Sequence, residues 1–131
     1  MTGIERRALQ IVVAAASLVP LGAGAAGMVL GPRLVESGAL GSVDLDSHIR
    51  YLSGLLLGIG LGYESTVPHI ERQGTRFRLL TAIVVLGGLG RLVSLLAVGP
   101  PSAAMKAALV MELVVAPALA LWQRRIADPP T

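Results

Sequence analysis

The sequence predicts an all-α protein: one integral membrane domain over residues 1–131, a four-helix bundle threaded up-down-up-down. Three observations predict it. Only 15% of the 131 residues are charged, whereas a soluble domain carries about 25%. Mean hydropathy is +0.72 and 53% of the residues are hydrophobic, so hydrocarbon is the solvent that suits this surface. The apolar residues also gather into four runs of about 20, each long enough at about 1.5 Å per residue to cross a core of about 30 Å.

The runs cover about 8–30, 48–67, 79–98 and 103–122. Arg6 and Arg7 precede the first, and with Ala23-Gly24-Ala25 they resemble a secretory signal and its cleavage site. The apolar character continues through Met28, Val29 and Leu30, which favours a retained span. Pro20 in the first run and Pro117 in the fourth are expected to kink their helices. The connection Gly31 to Ser47 ends in Asp46 and Ser47, either of which suits the N-cap of the second helix. Pro68 to Arg78 reads as a charged, solvated loop, with Glu64 reaching one of its arginines. Gly99-Pro100-Pro101-Ser102 is long enough only to join antiparallel neighbours, with Ser102 as N-cap. Trp122 fits an interface anchor, and the tail Asp128-Pro129-Pro130-Thr131 is expected to fray.

Positive charge orients the bundle. Seven arginines (Arg6, Arg7, Arg72, Arg76, Arg78, Arg124, Arg125) fall on one side, and Arg33, Arg50 and Lys106 fall on the other. The side richer in Lys and Arg is cytoplasmic, so both termini are expected there. Basic residues at the ends of apolar runs form no patch, which excludes nucleic acid as a partner despite a net charge of +3. With no cysteine, thiolate catalysis, disulfides and Cys-bound zinc are excluded.

Small residues recur at four-residue spacing and form ridges where backbones can approach. The second helix carries Arg50, Gly54, Gly58 and Gly62; the fourth Ala104, Ala108, Glu112, Ala116 and Ala120; the first Ala23, Gly27 and Gly31. The ridge on Gly54, Gly58, Gly62 and the one on Ala108 serve helix packing within the chain or in a homodimer.

Arg91 and Glu112 are the candidate site. A charge at mid-membrane costs about 2.5–3.5 kcal/mol on insertion scales and must face protein or water. Counting rise places Arg91 about 12 Å and Glu112 about 14 Å below the outer edge. Their side chains lean toward their own helix N-termini, hence toward each other, so an ion pair is expected. Asp46, His48, Arg50, Tyr51 and Ser94 place further polar groups toward the outside. They form either a structural clamp or a site for a ligand. Asp44, Asp46 and His48 alternate as loose metal ligands would, but capping accounts for Asp46, and neither metal nor cofactor is expected.

The stretch Asp46-Ser47-His48-Ile49-Arg50-Tyr51-Leu52-Ser53-Gly54, then Gly87-Gly88-Leu89-Gly90-Arg91-Leu92-Val93-Ser94, Gly99-Pro100-Pro101 and Glu112-Leu113, resembles the DUF4345 family of small bacterial four-span membrane proteins. The resemblance implies a compact four-helix bundle in the bacterial inner membrane and supplies no activity. No Ser-His or Asp-Asp arrangement is spaced for a nucleophile or dyad, so no enzyme is expected. The expected function is non-enzymatic: binding a small hydrophobic or lipid-like ligand in the outer half, or service as an accessory subunit to a protein partner. The alternative is a small proton-coupled exporter using Glu112. Against it, Glu112 sits in the last helix, and the charge bias opposes antiparallel dimers.

Overall fold

A computed structural model describes residues 3–34 and 42–127. The expected fraying of residues 128–131 and the middle of the first connection lie outside them. The described residues form four helical rods and no strand. The first rod is α1 (Gly3–Ala16) followed by α2 (Leu18–Leu30) and a 3-10 turn, Gly31–Leu34. The second is α3 (Val43–Thr66), continued by a 3-10 segment, Val67–Arg72. The third is α4 (Gly74–Ala97). The fourth runs from α5 (Ala103–Val110) through a π-helical segment, Met111–Val115, into α6 (Ala116–Ile126).

Three rods are long and apolar enough to cross a membrane: Gly3–Arg33, Gly74–Ala97 and Ala103–Ile126. At 24 residues, α3 matches α4 in length, but Asp44, Asp46, His48, Arg50 and Glu64 dilute its apolar character. Helices overrun the apolar runs, starting at Gly3, Val43 and Gly74 rather than at 8, 48 and 79. Polar residues continue the backbone hydrogen bonds after the apolar stretch has ended.

The chain divides into two compact units, one of Val12–Ser65 and one joining Met1–Ile11 to Thr66–Thr131. In the first, the helix is interrupted at Ser17. Pro20 has no N–H for the carbonyl of Ala16 and its ring crowds that carbonyl, which accounts for the break. The Ser17 hydroxyl donates to the Glu64 carboxylate. Glu64, in the last turn of α3, is thus held by the first rod.

Glycine sets the contact between these rods, though not on the expected ridge. A Cβ on Gly24 would lie 2.5 Å from the Leu57 backbone nitrogen, and one on Gly60 would lie 2.8 Å from Leu21 Cγ. Gly54 meets only the Met28 thioether at 3.7 Å, and nothing lies within 4 Å of a Cβ on Gly58. Leu57 and Gly60, displaced around α3 from Gly54 and Gly58, take the backbone contact instead.

The N-cap of α3 is Ser42, whose hydroxyl accepts from the Leu45 N–H at 3.1 Å. Asp46 stands inside the helix and pairs with Arg50 at 2.7 Å. The expected caps, Asp46 and Ser47, are displaced because the helix begins one turn earlier.

In the second unit the 3-10 segment is packed, correcting the solvated loop expected there. Ile70 is fully buried together with Leu9, Phe77 and Ile126. The Gln123 amide donates to the Ile70 carbonyl at 2.8 Å, and Gln10 donates to the Val67 carbonyl at 2.6 Å. Glu71 accepts from Arg6 Nε at 2.6 Å, and that guanidinium holds its carboxyl below the ordinary value of 4.5. His69 is exposed, as expected. Gly99 takes φ +140° after α4, its N–H and that of Val98 returning to the Ser94 carbonyl at 3.3 and 2.8 Å. Ser102 caps α5, its hydroxyl accepting from the Met105 N–H, as its place after two prolines predicts.

Candidate functional site

Arg91 and Glu112 meet as the rise count requires: Arg91 Nε donates to Glu112 Oε1 at 2.8 Å. Two local features bring them together. Buried Gly88, one turn before Arg91, lets the fourth rod close in; a Cβ there would lie 2.9 Å from Glu112 Cβ and 2.8 Å from Leu113 Cδ2. A larger residue at 88 would push the carboxylate away from Arg91.

The second feature is the π-helical segment that carries Glu112. The Ala116 N–H bonds to the Met111 carbonyl, one residue farther back than in an α-helix. Pro117 has no N–H and clashes with the carbonyl four residues before it, that of Leu113. The backbone absorbs this as a single wide turn. The usual donors to the Glu112 and Leu113 carbonyls are thereby lost, and polar backbone stands beside the ion pair.

The carboxylate is poorly satisfied. Oε1 accepts from Arg91, whereas Oε2 is buried and without a hydrogen-bond partner. A carboxylate can accept at about four positions, and among the described residues Arg91 fills one of them. Arg91 is also incompletely used. Its Nη1 lies 3.1 Å from the Met105 sulfur, a weak acceptor, and its Nη2 makes no hydrogen bond among the described residues.

Arg91 and Met105 border a cavity of about 180 Å³, lined also by Ser94, Leu95, Pro101 and Leu109. Of the residues expected from the sequence, Arg91 is joined to Glu112 by the ion pair and shares the cavity wall with Ser94. Met105, Leu95 and Leu109 were not expected. Their spacing was available: Leu95 follows Arg91 by four residues, and Leu109 and Met105 precede Glu112 by three and seven, so each pair shares a helix face.

The other expected site residues belong to the unit Val12–Ser65, where Asp46 and Arg50 form a cluster of their own. Arg50 Nη1 donates to the carbonyls of Met28 and Val29 at 2.6 and 2.9 Å, satisfying the end of α2 as a C-terminal cation does. Asp46 holds that guanidinium, which keeps its carboxyl below the ordinary 3.8. Gly31 carries φ +60° at the cap, and a Cβ there would meet Asp46 Oδ2 at 2.9 Å and Arg50 Nη2 at 3.0 Å. Arg50 and Asp46 have a structural task here. His48 and Tyr51 are exposed. Among the described residues, no three His, Asp or Glu side chains group as metal ligands.

The family model described as Domain of unknown function (DUF4345) matches residues 8–123. The chain belongs to this family. No curated protein and no solved structure matches it. The DUF4345 match spans all four rods, with Arg91, Met105, Glu112 and Pro117 inside it.

Proposed function

We propose that the chain is a non-enzymatic multi-pass protein of the bacterial inner membrane that holds the polar end of a small or lipid-like ligand beside Arg91. Its four rods cross as an up-down-up-down bundle with both ends in the cytoplasm. One observation carries the ligand reading: the terminal nitrogens of a membrane-embedded guanidinium have only a thioether for partner, next to a cavity with mainly apolar walls. A clamp built for stability alone would spend those donors on oxygen acceptors, because an unmet donor in hydrocarbon is costly.

Size narrows the occupant. Pockets that enclose a whole drug-sized ligand run to about 300–1,000 Å³; 180 Å³ holds roughly six waters' volume. The cavity therefore suits a headgroup or chain end, the remainder lying along the helices in the bilayer. The test is mass spectrometry of the protein extracted from its own membrane without detergent, beside Arg91→Gln. A compound that accompanies the first and is lost from the second is the expected result. Identical lipid and metabolite content in two folded proteins would remove the proposal.

A further inference from the structure

We infer that the group bound at Arg91 is a monoanionic headgroup of an amphiphile, and that its binding drives one proton from water onto Glu112. The inference rests on the pocket reading above and adds the ligand's charge and its coupling to protons.

The charge follows from the donors on offer. A guanidinium presents adjacent N–H groups in a plane that matches the oxygens of a carboxylate, phosphate ester or sulfonate. Arg91 has committed Nε to Glu112, and its terminal nitrogens are left to Met105 at the cavity wall. An oxyanion is a far better acceptor than a thioether and displaces it. Ser94, on the same wall, adds a hydroxyl one turn along α4 from Arg91. Leu95 and Leu109 give the first carbons of the chain an apolar seat. A cationic head has no counterpart here, since the second oxygen of Glu112 is buried and the guanidinium repels it.

The proton follows from charge balance. Arg91 and Glu112 together are neutral; an added anion would leave one uncompensated negative charge in a low-dielectric site, where titratable groups neutralise instead. Glu112 is the group that yields, because its charge rests on one hydrogen bond from Arg91. The pair Arg⁺ and Glu⁻, with an anion and a proton, becomes Arg⁺ holding the anion beside a neutral carboxylic acid, and net charge is zero before and after.

No other charged group among the described residues of this unit is placed to intervene. On α5, Lys106 is exposed, six residues and about 9 Å of rise from Glu112. On α6, Arg124 and Arg125 begin twelve residues beyond it, about 18 Å away along the axis. On α4, Arg76 and Arg78 lie in the first turns, about 20 Å of rise or more from Arg91. Glu5, Arg6 and Arg7 of α1, and His69, Glu71 and Arg72 of the 3-10 segment, belong to that same end of α4, where Glu71 pairs with Arg6.

The test uses the full chain in nanodiscs of zwitterionic lipid, with decane-1-sulfonate as probe. A sulfonate stays ionised at any pH the protein tolerates, so protons taken up belong to the protein. Titration calorimetry in two buffers of different protonation enthalpy, corrected with empty nanodiscs, counts those protons. Close to one proton per probe at neutral pH is the expected count, with affinity falling about tenfold per pH unit wherever one proton is taken up. Glu112→Gln should bind at least as tightly, with no uptake and no slope, and Arg91→Gln should not bind. Saturable binding that needs Arg91 but takes up no proton overturns the coupling and leaves the pocket standing. Equal binding of decanol or decyltrimethylammonium overturns the anionic headgroup alone. If none of the three probes binds, the pocket reading falls with the inference. The wild-type proton count decides the coupling even where a variant fails to fold.

Discussion

In the proposed bilayer setting a charge at Arg91 costs about 2.5–3.5 kcal/mol on insertion scales, and one short bond to a carboxylate that is itself 18% exposed offsets it. Removing one partner strands the other. Because the Arg91 side chain keeps 39% of its surface accessible, Glu112→Ala should cost toward the lower end of the about 3–5 kcal/mol typical of a broken buried pair. The exchange Arg91→Glu with Glu112→Arg separates the two roles the pair can have. If it restores thermal stability while ligand retention stays lost, the guanidinium's position matters beyond neutralising charge; if both return, the pair is only a clamp. Gly31 is constrained differently. Its φ of +60° and the atoms around its Cβ position exclude a side chain, so Gly31→Ala should destabilise by more than about 1 kcal/mol. Chemical unfolding of the two proteins in the same lipid checks it.

The π-helical segment shows how one residue sets the shape of an element. Pro117→Ala returns an N–H to the fourth rod, and the segment is expected to relax to an α-helix, turning Glu112 by part of a turn away from Arg91. The helix should then gain stability while the coupling between Arg91 and Glu112, measured by a double-mutant cycle in that background, shrinks. A coupling unchanged in Pro117→Ala would show that the wide turn does not aim the carboxylate. Sequence could foresee that Pro117 disturbs its helix, but not how, because whether a backbone kinks or widens depends on the rod packed against it at Gly88. The Arg91–Glu112 pair was legible for the opposite reason: a four-residue connection and a fixed rise per residue leave little freedom in register. Ser102 was legible after two prolines, whereas Ser42 was masked by Asp46 and Ser47, which stand nearer the apolar run. The packing of Val67–Arg72 was hidden because its partners, Arg6, Gln10 and Gln123, come from distant stretches of chain. That segment carries its own pH dependence. The folded-state pKa of Glu71 lies below the ordinary 4.5, so its pairing with Arg6 contributes fully above that value and is lost as pH falls through the lower, folded one. Glu71→Gln should flatten the acid limb of the stability profile and leave its slope near neutrality unchanged.

At the scale of the molecule, the orientation of the rods decides which end meets which compartment. The two ends differ in kind. Arg6, Arg72, Arg76, Arg78, Arg124 and Arg125 stand where the 3-10 segment Val67–Arg72 meets the start of α4 and the end of α6, while Gly99 and Ser102 mark the opposite turn of that unit. In the proposed orientation the arginine-rich end is cytoplasmic, so Ile4 and Arg124 are expected inside, and Val43 and Val98 outside. The native chain has no cysteine, so a single introduced thiol reports its own side without further engineering. Ile4, Val43 and Val98 are 83%, 85% and 87% exposed, open enough to be labelled without disturbing the packing. In intact cells a membrane-impermeant maleimide should label Val43→Cys and Val98→Cys, and reach Ile4→Cys and Arg124→Cys only after the membrane is opened. The decisive position is Val43, because the rod it begins is the one whose polar residues weaken its claim to cross. Labelling of Val43→Cys only after permeabilisation, with Val98→Cys labelled from outside, would leave the second rod on the cytoplasmic side and reduce the crossings.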